Sequence, residues 1–168
     1  MWISDRFWTP TIGIYSNASR REDAVPNFQD IAPKLERLSS DHEKLEAHRL
    51  LSREEFLADP DIQAATCYLF LTAIQGCIDV GAELIAILGL RKPVDNADVF
   101  VVLGEGNILP TDFVARLKGM VGFRNTLTHR YRHVDMGQVY GNLQNHSADF
   151  HRFMNFVIAF IEREETLS

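Results

Sequence analysis

Basic residues are scarce in this chain. Its 17 Lys and Arg stand against 23 Asp and Glu, a formal charge of −6. That balance excludes a protein that coats nucleic acid by bulk attraction, because such binding comes from counterion release at many Lys and Arg. Any contact with a polyanion must be local. Cysteine is nearly absent: Cys67 and Cys77 fall in one expected helix, about 15 Å apart along its axis and too far for a disulfide, so both read as reduced thiols. No basic stretch followed by an apolar run and a small-residue cleavage site opens the sequence, so no secretory signal is expected and the cytoplasm is the default. An uninterrupted membrane-length apolar run is missing too. Cys67 to Leu90 comes close, but Gln75, Asp79 and Glu83 interrupt it; ionisable groups in hydrocarbon are costly, so a buried soluble helix and no membrane association are expected.

What is present is an ordinary globular mixture, 168 residues with 46% apolar and 24% charged, without repeats or low-complexity tracts. One compact core is expected. Residues 1–28 hold Trp2, Trp8, Pro10, Gly13 and Pro26 with no helical or strand period and read as an irregular N-terminal arm, either anchored by its tryptophans or a plain extension. Residues 29–165 read as one helical bundle. From Gln29 to Leu51 the spacing of Ile31, Leu35, Leu38, Leu45 and Leu50 gives an exposed amphipathic helix with a solvated polar face. Ser52-Arg53-Glu54-Glu55 matches a capping box, and Asp59-Pro60 ends that short helix and starts the next. From about Asp61 to Leu88 the chain is apolar nearly all round, which marks the central core helix, with Gly89 as its C-cap. Asn96 to Leu103 suits a short helix, although Val99-Phe100-Val101-Val102 would suit a strand equally by propensity; a lone strand would lack a partner. A helix from Thr111 places Phe113, Leu117, Met120 and Leu127 at helical spacing. The last helix follows Asp135, with Val139, Leu143, His146, Phe150, Phe153, Val157 and Phe160 in a heptad-like stripe. The expected fold is all-α: a single up-and-down bundle of four to five helices behind the arm.

Two features break the apolar pattern of a bundle interior, and such positions are where function concentrates. Gln75, Asp79 and Glu83 recur every four residues and line one polar stripe on the central helix. Buried carboxylates need partners, so a cation is expected opposite, with Arg124 and Arg130 the candidates. Arg124 continues the inward line of Phe113, Leu117 and Met120. Around it, Arg116 to His133 holds Arg116, Lys118, Arg124, Arg130, Arg132 and two His with no acid, a local positive patch in an acidic protein. A histidine that exchanges protons near neutral pH and an arginine that holds developing phosphate charge suffice for phosphodiester cleavage with no metal ion or cofactor. His129 would take a proton from a ribose 2′-OH, so RNA and not DNA would be cut. The spacing also fits a plainer role, since Arg130, Arg132 and His129 near a helix C-terminus oppose the macrodipole. On an ideal helix Arg124 and His129 lie roughly 140° apart. His146 and His151 show no partner in the sequence, and His42 and His48 fall on the exposed first helix without an assigned role.

Arg124-Asn125-x-Leu127-x-His129-x-Tyr131, with Val134-Asp135 following, resembles the RNxLVHxY signature of the HepT-like toxins of the HEPN superfamily. The blocks Ser52–Asp59, Ala73–Asp79, Ile108-Leu109-Pro110 and Leu117–Asn125 resemble the family's successive segments in order, so the likeness spans roughly Ile31 to Glu162. It implies a HEPN-type bundle that forms a homodimer with both motifs facing one cleft, acting as a metal-independent endoribonuclease toxin with Arg124 and His129 as the catalytic pair. Asn125 matches the polar residue after the arginine. Gln75, Asp79 and Glu83 would be supporting groups, and Arg130 and Arg132 RNA contacts. Tyr131 matches the tyrosine to which a minimal nucleotidyltransferase antitoxin adds AMP. Thr128 departs from the apolar residue usual before the histidine. The alternative of a different class is a non-catalytic helical subunit that docks such a nucleotidyltransferase.

Overall fold

A computed structural model describes residues 26–129 and 134–167 of the chain. Among the described residues there are six helices and no strand: α1 (Ala32–Arg49), α2 (Arg53–Ala58), α3 (Pro60–Leu88), α4 (Asp98–Glu105), α5 (Thr111–His129) and α6 (Met136–Leu167). The fold is all-α, as expected. Both short helices expected from the sequence, α2 and α4, are present in the connections between the four long ones, so the described residues hold six helices in all. Trp2 and Trp8 lie outside the described residues.

Local chemistry sets the boundaries. Ser52 Oγ accepts from the Glu55 amide while the Glu55 carboxylate accepts from the Ser52 amide, the reciprocal cap that the sequence announces. Asp59 caps α3 by accepting from the amides of Asp61 and Ile62, with Pro60 at the first helical position, where its missing N–H costs nothing. Gly89, at φ 62°, closes α3 in the left-handed conformation. The Val-rich run is helical, and tertiary contact decides this against its β propensity. Val99, Phe100, Val102 and Leu103 are buried, and Gly81 lets α4 approach α3 so closely that a Cβ there would stand 2.6 Å from Val99 Cγ1. Arg91 then ties down both ends of α4 through Asp98 and Glu105, and with the Val94 amide it holds the Asp98 carboxyl down to about 2.

By length and composition alone α3 could cross a membrane. Here it is the core helix and touches all five others. Its Phe70 meets Phe123 of α5 edge-on at 5.2 Å and Phe150 of α6 at 6.1 Å. Cys67 and Cys77 are free and buried, and burial pushes the Cys67 thiol up to about 11 and that of Cys77 higher still, which disfavours the nucleophilic thiolate. Phe28, at the end of the expected arm, is buried and packs edge-on against Phe160 at 6.5 Å.

Two expectations about polar residues fail. The polar face of α1 is not simply solvated: His48 Nδ1 meets Thr66 Oγ1 at 2.7 Å, Ser147 Oγ donates to Glu46 at 2.6 Å, and His42 stacks on His151 at 5.9 Å. The α6 stripe holds except at His146, which instead meets the buried Asp149 at 3.2 Å. The reason is geometric, since α1 lies along both α3 and α6 and so buries a wider arc than one apolar stripe.

Burial lowers the pKa of His42 and of His48 below the ordinary 6.5; Glu46 partly opposes this at His42, while His151 adds to it. A folded value below the unfolded one means that the unfolded chain binds more protons in that window, so stability falls as pH drops. The melting temperature is expected to hold above pH 6.5 and to decline as pH falls through and below it. His42→Gln should flatten the decline, and an equally steep profile in that variant would assign the effect elsewhere. Glu46 titrates below its ordinary 4.5, outside this window.

Candidate active site

Phe113, Leu117, Met120 and Leu127 of α5 are buried against the core. Arg124 occupies the next position on that line and is half-buried. Its Nη2 donates to Gln75 Oε1 at 3.0 Å, and Gln75 Nε2 donates to Asp79 Oδ1 at 2.8 Å. Nη1 reaches Asn125 Oδ1 at 3.3 Å, while Nε is buried with no acceptor among the described residues. The Thr128 hydroxyl donates to the Arg124 carbonyl at 2.9 Å. Arg124, Asn125, Gln75 and Asp79 thus form one connected polar cluster.

Glu83 does not join it. The cation opposite this carboxylate is Lys34 of α1, at 2.7 Å, rather than Arg124. Glu83 lies two turns beyond Gln75 along α3, about 12 Å by helical rise, which carries it out of reach of α5 and toward the start of α1. Arg130, Arg132, Tyr131 and His133 lie outside the described residues.

The basic patch also divides. Arg116 is committed to structure: its Nε and Nη2 donate to the buried Asp149 at 3.0 and 2.8 Å, and Nη2 also donates to the Asn145 carbonyl at 3.2 Å. His129 is the last residue of α5 and is exposed. Since α5 runs unbroken from Arg124 to His129, the two side chains leave the helix about 140° apart and about 7.5 Å along its axis. Within one protomer they face different sides.

Beside Arg124 opens a cleft of about 500 Å³ between α1, α3 and α5, with Lys34, Arg37 and Asp41 on its α1 wall. These three residues fall on the polar face of α1, which the sequence marks only as solvated. The available signal was their spacing of three and four, which puts all three on one side of α1. Among the described residues no group of three or more His, Cys, Asp or Glu is placed to hold a metal ion.

The bundle of six helices packed around the core helix α3 is an arrangement that solved structures share. The fold matches that of a Shewanella oneidensis HEPN toxin, solved tri-AMPylated in complex with MNT antitoxin. The TM-score is 0.72 at 23% identity over 78% of this chain and 98% of that one. The family model described as "Ribonuclease HepT-like" matches residues 38–157, and the chain belongs to this HepT-like family. Among individual relatives, it is 27% identical over 105 residues to the mRNA nuclease HepT of Shewanella oneidensis, covering 62% of this chain and 79% of the relative. It is 26% identical over 110 residues to the tRNA nuclease HepT of Aphanizomenon flos-aquae, covering 66% and 75%.

Proposed function

We propose that this chain is the toxin of a toxin–antitoxin pair and an endoribonuclease that needs no metal ion. Two protomers form a homodimer in which the Arg124 of one and the His129 of the other face a common cleft. His129 takes the proton from a ribose 2′-OH, and the freed oxygen attacks the adjacent phosphorus. The P–O5′ bond breaks, O5′ regains a proton, and the products are a 2′,3′-cyclic phosphate and a 5′-hydroxyl. Arg124 carries the charge that builds on the non-bridging oxygens. Gln75, Asn125 and Asp79 hold that guanidinium in place, and Glu83, through Lys34, steadies the α1 wall. Arg130 and Arg132 hold the RNA backbone, and Tyr131 accepts AMP from a minimal nucleotidyltransferase antitoxin, whose bulky anion closes the cleft.

The observation that carries this reading is the fixed Arg124: an inward guanidinium tied to Gln75 at 3.0 Å on the wall of an open cleft. The relatives named mRNA and tRNA nucleases supply the substrate class, and the toxin solved with MNT antitoxin supplies the partner. The test is incubation of the purified chain with cellular RNA in excess EDTA. Fragments ending in cyclic or 3′-phosphate are expected, with a 2′-deoxy substrate left whole. Intact RNA, together with retained binding of the nucleotidyltransferase, would leave a docking subunit instead.

A further inference from the structure

The α1 wall of the cleft holds two groups that the protein itself leaves unanswered. Asp41 is only 9% exposed, yet its carboxylate has no hydrogen-bond or ion-pair partner among the described residues. Asp41 lines the cleft, so a group seated there can reach a carboxylate that no side chain of the described residues occupies. One turn earlier, Arg37 is exposed at the same cleft and also lacks a partner among the described residues. Lys34 differs, because Glu83 already neutralises it. Arg124 and Thr128 form the opposite wall.

We infer that the cleft between α1, α3 and α5 is a nucleotide-binding subsite for the RNA strand, in which Arg37 holds a backbone phosphate and Asp41 accepts a hydrogen bond from the same nucleotide. The inference rests on the ribonuclease reading for its choice of RNA. The chemistry of the two groups is what selects the ligand. A phosphate alone would be repelled by Asp41 and a simple cation by Arg37, whereas a nucleotide presents an anion and a neutral donor a few ångströms apart. That donor is a ribose hydroxyl or an exocyclic amine. A volume of about 500 Å³ is in the range of small-ligand sites. Because Arg124 shares the cleft, a nucleotide seated there lies next to the phosphate to be cut, so Arg37 and Asp41 set the register of the strand.

The test uses the full chain carrying His129→Ala, so that RNA stays intact, with fluorescence anisotropy on a short random-sequence RNA pool and its DNA counterpart over a salt series. Arg37→Ala is expected to weaken RNA binding about tenfold and to reduce the slope of log K against log salt by about 0.7, the loss of one phosphate contact to a single strand. Lys92→Ala, which removes the same charge away from the cleft, should change neither. Asp41→Asn keeps the shape, removes the charged acceptor and should weaken binding several-fold: for RNA alone if the donor is the 2′-hydroxyl, for both pools if it is an amine. Unchanged or tighter binding by Asp41→Asn, or an equal loss in Lys92→Ala, overturns the subsite, as would loss of nucleotidyltransferase binding in Arg37→Ala with RNA binding intact. The two readings fail separately. Cleavage by the parent chain with no effect of these substitutions removes the subsite and leaves the nuclease. Binding with these dependences but no cleavage does the reverse.

Discussion

Arg124→Ala and His129→Ala are each expected to reduce RNA cleavage by about 10²- to 10⁴-fold, the usual range for losing a positioned acid–base group or a charge-stabilising donor. Mixing the two inactive proteins should then restore activity. The reason is the unbroken helix between the residues: with about 140° between them, the two side chains of one protomer leave the helix on different sides. In a mixed dimer one protomer retains Arg124 and the other His129, so one of the two composite sites is complete. Random exchange makes about half of the dimers mixed, each with one working site in two, and recovers about a quarter of the parent activity. Measurement is by initial rates before and after subunit exchange. No recovery would place the whole site within one protomer. Full activity in both single variants would remove Arg124 and His129 from the chemistry altogether.

Phe70→Ala is the substitution expected to destabilise the fold most. Phe70 is 1% exposed and joins three helices through its contacts with Phe123 and Phe150. Removing a buried ring costs about 3–5 kcal/mol, through lost transfer energy and the cavity left behind. In a chain of this length that lowers the melting temperature by roughly 10 °C. The damage should extend to function, since Phe123 directly precedes Arg124 and loses the ring that it packs against. Below the melting transition cleavage should still be impaired, while Phe70→Leu, which refills most of the space, should recover most of both properties. A Phe70→Ala protein that melts like the parent would contradict the three-helix junction.

The long elements were legible because each carries its own signal. The Ser52 capping box, the Asp59-Pro60 boundary, the Gly89 cap and the stripes of α5 and α6 are local patterns, and the structure places them at the expected residues. Propensity could not decide Val99–Val102; contact with α3 across Gly81 does. The polar residues were the hardest to read. Glu83 pairs with Lys34, 49 positions away, and Arg116 with Asp149, 33 positions away. No periodicity along one helix reveals which helix will lie beside it. Arg124 stood out only because it interrupts an apolar stripe. Lys34, Arg37 and Asp41 interrupt nothing, and the helix that bears them looks amphipathic and ordinary until α3 and α5 close the cleft around it.

The neighbours of the arginines show how the chain divides its few cations between tasks. Arg49, Arg91 and Arg116 each lie against a carboxylate, and their charge is spent within the fold. Arg124 is held instead by the amide oxygens of Gln75 and Asn125. Gln75 stands between it and Asp79, so the guanidinium is positioned by dipoles while its full positive charge remains available to an incoming anion. In a protein of net charge −6, that reserve is a local positive charge on a chain that is negative on balance.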